Sequence, residues 1–191
     1  MAYFPLFIEL NQEKCLIIGD GPVARRKAAS LESFGAEVSI CRKGSWQLED
    51  CLQAALVIAA TDDREWNHLI ATYCHEHGIL VNVADSKEES SFLFPSVLRR
   101  GPISVGITSS GQAPKMSSEI RKQLEEILTE ESGIAAENLG TLRRIMKQLP
   151  IDHSDRKAMM DGLYEPICQE KTIRSEEEIK ELALKWLENR R

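Results

Sequence analysis

Lys14-Cys15-Leu16-Ile17-Ile18-Gly19-Asp20-Gly21-Pro22-Val23-Ala24 decides the fold. A short apolar run enters two glycines spaced by one residue, and an amphipathic segment follows. That order reads as strand, tight turn and helix, the setting in which G-x-G-x-x-G/A binds a dinucleotide. Gly19 permits the turn, Gly21 lets the backbone approach a pyrophosphate on the helix N-terminus, and Ala24 lets helix and sheet pack closely. A tight βα turn without a ligand is the competing reading.

Outward from this turn, short β-rich runs alternate with helix-length segments. The strand candidates are residues 14–18, 37–40, 56–60, 80–83 and 103–107. They are mostly unbroken apolar runs, as in strands covered on both faces, and predict a parallel sheet. Val23, Ala24, Ala28, Leu31 and Phe34 mark one helix, stopped by Gly35. Trp66, Leu69, Ile70, Tyr73, Cys74 and His77 mark another, stopped by Gly78.

Beyond Pro114 only helical stripes remain: Ile120/Leu124/Ile127/Leu128, Ala135/Leu139/Leu142/Met146/Leu149, Met160/Leu163/Tyr164/Ile167 and Ile179/Leu182/Ala183/Trp186/Leu187. Pro150 separates the second and third, and Ser175 to Glu178 is a capping box for the last. The pattern predicts an α/β fold: a Rossmann-like parallel-sheet domain over residues 1–113, then an all-helical dimerisation and substrate-pocket region over 114–191. Four such helices make a small bundle, so their apolar faces are expected to pack on the first domain or on a second copy, giving a homodimer.

Hydrophobic residues are 42% and charged residues 28% of the 191, which excludes disorder and fibrous architecture. No apolar run approaches a bilayer span, and the N-terminus carries no signal-like pattern, so the expectation is a cytoplasmic protein without a membrane partner. Five cysteines without a C-x-x-C pair disfavour a disulfide framework or a structural zinc site. His75 and His77 lie two apart and do not share a helical face, so no metal site is predicted there; His77 is expected on the packed face, and His68 has no evident partner.

Net charge is −6, which argues against general nucleic-acid binding, yet Arg99, Arg100, Lys115, Arg121 and Lys122 form a basic island broken only by Glu119. It reads as an anion-receiving surface or as a solvated helix start.

Four clusters fall where a crevice at the carboxyl ends of the strands would lie. After the second strand, where an acidic residue would hold the ribose of NAD, the chain has Cys41-Arg42-Lys43-Gly44. Arg42 or Lys43 there either receives a 2′-phosphate or is a loop charge, so NAD and NADP stay open. Ala59-Ala60-Thr61-Asp62-Asp63 follows the third strand; Thr61 or Asp62 caps the next helix, contacts the cofactor, or both. Asn82-Val83-Ala84-Asp85 ends the fourth strand, with Asp85 a candidate general acid/base. Thr108 to Pro114, with Ser109 and Gly111, is a small-residue loop suited to anions.

In order, Phe4-Pro5-Leu6-Phe7, Gly19-x-Gly21-x-Val23-Ala24-x-Arg26-Lys27, Ala59-Ala60-Thr61-Asp62-Asp63, Asn82-Val83-x-Asp85, Phe92-x-Phe94-Pro95-Ser96 and Ser109-x-Gly111-x-x-Pro114 resemble the siroheme synthase N-terminal family. The resemblance covers about residues 3–150. It implies NAD-dependent oxidation of precorrin-2 to sirohydrochlorin, with ferrous iron insertion in bifunctional members. It further implies Asp85 as the acid/base, Ser109 near the tetrapyrrole, and NAD contacts at Pro22, Val23, Lys43 and Gly44, which weakens the 2′-phosphate reading of Arg42. The basic island then suits a polycarboxylate substrate. Asp20, in place of a glycine common in the family turn, and Lys115-Met116-Ser117 depart from the pattern. No fused methyltransferase module is expected. A different class of function, an NAD sensor without turnover, remains the alternative.

Overall fold

The computed structural model describes residues 3–42 and 44–190. Four strands, β1 (Lys14–Ile18), β2 (Glu37–Cys41), β3 (Leu56–Ala59) and β4 (Leu80–Val83), form one parallel sheet in the order β2-β1-β3-β4. Helix α1 (Pro22–Glu32) links β1 to β2, a 3-10 helix over Leu48–Gln53 precedes β3, and α2 (Arg64–Glu76) links β3 to β4. The chain thus leaves β1 to one side and returns to its other side, which puts the switch point between the ends of β1 and β3.

Side chains alternate across this sheet as its pleat requires. Leu16, Ile18, Val57 and Ala59 face α2 and the 3-10 helix in a cluster with Cys51, Ile70 and Cys74. Cys15, Ile17, Leu56 and Ile58 face α1 in a second cluster with Ala24, Ala28 and Leu31, flanked by Phe92 and Phe94. Both faces are covered, which is why the strands read as unbroken apolar runs. The β4 edge is closed by its own downstream chain: Ser91 Oγ accepts from Val81 N (2.7 Å), Ser90 Oγ accepts from Val83 N (2.9 Å), and Asn82 Nδ2 donates to Phe92 O (2.9 Å).

The structure corrects the fifth strand. Residues 103–107 do form a strand, β6 (Ile103–Ile107), but it pairs antiparallel with β5 (Ser96–Arg100) in a separate two-stranded sheet. The Gly101-Pro102 turn makes this a hairpin.

Four helices follow: α3 (Pro114–Ile127), α4 (Glu130–Gln148), α5 (His153–Cys168) and α6 (Glu176–Glu188). The chain divides into two compact units. One takes the residues up to Pro95 together with Thr108–Pro114; the other takes Ser96–Ile107 with the residues from Lys115 onward. In the second unit α4, α5 and α6 bury Leu142, Ile145, Met159, Leu163, Ile167 and Ile179 against one another, so these helices own a core, contrary to the expectation that they need another surface to pack on. Gly162 lets α5 approach α6, since a Cβ there would lie 2.6 Å from Trp186 Nε1. The capping box at Ser175 and Glu178 is formed as the sequence indicates. Among the described residues no helix is long and apolar enough to cross a membrane.

Candidate functional site

Gly19 leaves β1 at φ +121°, and a Cβ on it would sit 2.1 Å from Ala60 O. Its N–H donates to Cys41 O at 2.8 Å. The first glycine is therefore demanded by the protein's own backbone, where the chain crosses the end of β3. Gly21 differs. It is the residue before α1, with ordinary φ −70°, and a Cβ on it would meet no protein atom within 4 Å. The space beside it is a cavity of about 850 Å³ at the carboxyl ends of the strands.

Residues 19–23 line that cavity from the start of α1, Gly44 and residues 46–49 from the loop after β2, and residues 60–63 with Trp66 and Leu69 from the end of β3 and α2; Ala84 and Asp85, after β4, line it too. Trp46 and Trp66 meet edge to face at 5.8 Å. The N–H groups that begin α1, which no side chain caps, and the absence of a side chain at Gly21 suit a pyrophosphate, so the residues present fit a dinucleotide.

Thr61 and Asp62 line the cavity, but neither caps α2. Asp63 does, accepting from the N–H groups of Glu65 (3.1 Å) and Trp66 (3.3 Å). Thr61 is held instead by Asn67, whose Oδ1 accepts from Thr61 N (3.1 Å) and whose Nδ2 donates to Thr61 O (3.1 Å). Arg42 stands 74% exposed with Nε 2.9 Å from Asp20 Oδ2, so it offsets the carboxylate that the glycine turn carries. Lys43 lies outside the described residues.

Asp85 occupies a tight turn between Val83 and Ser86 directly after β4, with Ala84 N anchored on Ala59 O at 2.9 Å. It is exposed and lines the cavity. Two residues on, Lys87 Nζ donates to Ser110 O (2.7 Å) and ties this turn to the loop holding Ser109 and Gly111. Ser109 Oγ accepts from Ala113 N at 3.0 Å and so stiffens that loop at the start of α3.

The other predicted anion-binding residues, Arg99, Arg100, Lys115 and Arg121, belong to the second unit. Several are matched by carboxylates: Arg100 with Glu130 (3.1 Å), Arg121 with Glu125, and Lys122 with Glu119 (3.1 Å). Lys115 is exposed.

His77 is exposed rather than packed inward; it ends α2, stacked on Tyr73 with ring centroids 4.2 Å apart. His68 has a partner after all, Glu89. The hydrogen bond with His68, helped by one with Ser86, holds the Glu89 carboxyl below its usual range. Among the described residues no three His, Cys, Asp or Glu groups stand together as a metal site.

Three contributors escape a reading of the sequence: Trp46, Lys87 and Lys27. Lys27 lies on the buried face of α1, 6% exposed, with Nζ donating to Asn82 Oδ1 and 5.5 Å from the centroid of Phe94. Burial pushes its pKa down to about 8; Arg26 pushes the same way and Asp85 pulls it back up. Because the folded value lies below the unfolded one, the unfolded chain binds more protons between about 8 and 10.5. This group's contribution to stability is therefore least favourable below about pH 8 and improves as pH rises through that window. Lys27→Met should stabilise the protein near neutrality by up to about 3 kcal/mol and remove that rise. Urea unfolding at pH 7 and pH 10 checks it; destabilisation at pH 7 would contradict it.

Residues 6–96 match the family described as "Putative NAD(P)-binding", and residues 100–127 match "Sirohaem biosynthesis protein central". The chain is 36% identical over 183 residues to the siroheme synthase of Photorhabdus laumondii, covering 86% of this chain and 39% of that protein. It is 31% identical over 207 residues to siroheme synthase 2 of Yersinia enterocolitica, covering 95% and 44%. The chain thus spans about two fifths of the length of these relatives. A solved structure titled "SirC, precorrin-2 dehydrogenase" superposes with TM-score 0.77 at 16% identity, covering 96% of this chain and 100% of that one, which shows a common fold. With the NAD(P)-binding segment and the sirohaem central segment in order along it, the chain belongs to the siroheme synthase N-terminal family.

Proposed function

We propose that this chain oxidises precorrin-2 to sirohydrochlorin with NAD. The observation that carries the reading is one cavity lined by both an open Gly21 and Asp85, at the switch point of a parallel sheet. The names of the relatives and of the structural neighbour support the choice of substrate.

NAD, when bound, supplies the hydride acceptor. The chain's residues do the rest. Gly19, Gly21, Pro22 and Val23 hold the pyrophosphate at the start of α1; Gly44, Thr61 and Asp62 line the remainder. Arg42 keeps Asp20 from repelling the phosphates. Asp85 takes the proton that leaves precorrin-2 as the hydride departs, so that hydride plus proton account for the two hydrogens lost. Ser109 and Gly111, tied to the Asp85 turn through Lys87, position the macrocycle. Arg99, Arg100, Lys115 and Arg121, in the second unit, supply the positive charge that draws a polycarboxylate to the protein.

The reading extends to a second step in which sirohydrochlorin takes up ferrous iron as a substrate and gives up its two pyrrole protons in turn, each passing through Asp85 to solvent. The test is the siroheme spectrum formed above the spontaneous rate. The protein acts as a homodimer through the second unit, where α3 leaves Met116, Ile120 and Ile127 exposed. Sedimentation of the purified chain should give twice its 21.5 kDa mass.

Incubation with precorrin-2 and NAD tests the main claim: the sirohydrochlorin spectrum should appear together with NADH. Binding of NAD without either product would make the chain a sensor. Gly21→Ala tests the cofactor placement. It should fold with nearly unchanged stability, because its Cβ meets only the cavity, while NAD affinity drops tenfold or more. Unchanged affinity would move the pyrophosphate elsewhere.

A further inference from the structure

Among the described residues Lys27 is the only charged side chain that is buried. It stands three residues from Ala24 and four from Leu31, on the face of α1 that packs on the sheet. Its contacts are neutral: the Asn82 amide oxygen on β4 and the ring face of Phe94. Both ends of the Asn82 amide are engaged, since its nitrogen donates to Phe92 O. No carboxylate touches the ammonium. An ammonium buried on such partners costs stability that a methionine of similar shape would not. Packing therefore does not explain it.

The charged groups that act on it are Arg26, on its own helix, and Asp85, three residues beyond Asn82; Asn82, Phe92 and Phe94 are uncharged. The cation thus stands behind the end of β4 that carries the proposed acid/base.

We propose that Lys27 is a positioning residue for Asp85: its buried ammonium, held by Asn82 and Phe94, supplies a fixed positive field at the end of β4 that keeps the Asp85 turn in working geometry. The proposal rests on the role of Asp85 given above. Asn82, which accepts from this ammonium, is also the residue that bonds Phe92 O in the segment covering the β4 edge. When Lys27 loses its proton, both the field and the charge-assisted hydrogen bond go. Turnover should then fall as pH rises past the Lys27 titration, at about 8.

Two measurements on the full chain test this. In lysine-selective carbon NMR, the Lys27 signal should titrate near pH 8, and Asp85→Asn should lower that midpoint by about half a unit or more. A midpoint that does not move overturns the proposal. This readout needs no turnover, so it stands even if the dehydrogenase reading fails, and that failure would show separately as an inactive parent protein. In the second, kcat is followed against pH. Lys27→Met should lose the basic limb and turn over about tenfold more slowly at neutrality, with KM for NAD within twofold. Lys27→Arg, which stays charged, should recover most of the rate and keep it through pH 9. A Lys27→Met protein with the parent's rate and pH profile overturns the proposal.

Discussion

Gly19→Ala is expected to abolish the fold. The substitution asks an L side chain to hold φ +121° and places its Cβ 2.1 Å from a backbone oxygen, Ala60 O, which belongs to the end of β3 and has no flexible side chain to swing away. Relief requires β1 and β3 to part, and these strands carry Ile17, Ile18 and Ile58, all fully buried. The cost should exceed about 4 kcal/mol, a large share of the 5–15 kcal/mol that holds a domain together. Urea or thermal unfolding should find little folded protein in the first unit. A loss below about 1 kcal/mol would mean that the turn does not cross β3 as described. The contrast with Gly21 is informative: two glycines of one motif fail differently, one through stability and one through ligand affinity.

Asp85→Ala should lower kcat about 10²- to 10⁴-fold, the usual worth of a positioned acid/base. The side chain is exposed in a turn, so removal should leave stability within about 0.5 kcal/mol. NAD affinity should stay within twofold, because the proposed work of Asp85 is on the departing proton and not on the phosphates. A loss in kcat alone, with KM for NAD preserved, is the signature of an interaction made in the transition state. Near-normal turnover would place the base elsewhere.

How far the sequence carried the reader depended on whether a signal was local. Strands β1 to β4, the glycine turn and the helices each rest on a pattern contained in one short segment, and each was legible. The hairpin β5–β6 was not, because residues 103–107 look equally apolar in a parallel core strand and in a half-buried ribbon; the Gly101-Pro102 turn after Ser96–Arg100 was the cue. The α2 cap was misplaced by a residue or two, since Thr61, Asp62 and Asp63 are all capable caps and only the path of the chain selects Asp63. Arg42 beside Asp20 and Lys87 on Ser110 are pairings across loops, invisible to any periodicity. Lys27 did leave a trace, a charge on the apolar face of α1, but its partners come from β4 and the segment after it.

The central claim is that the cavity seats NAD as the direct acceptor of a hydride from precorrin-2. Precorrin-2 deuterated at the carbon that surrenders hydride should, in a single turnover with the purified chain, yield sirohydrochlorin and a reduced nucleotide that carries the deuterium. Sirohydrochlorin formed with no deuterium in the nucleotide, or formed equally well without NAD, would contradict the account.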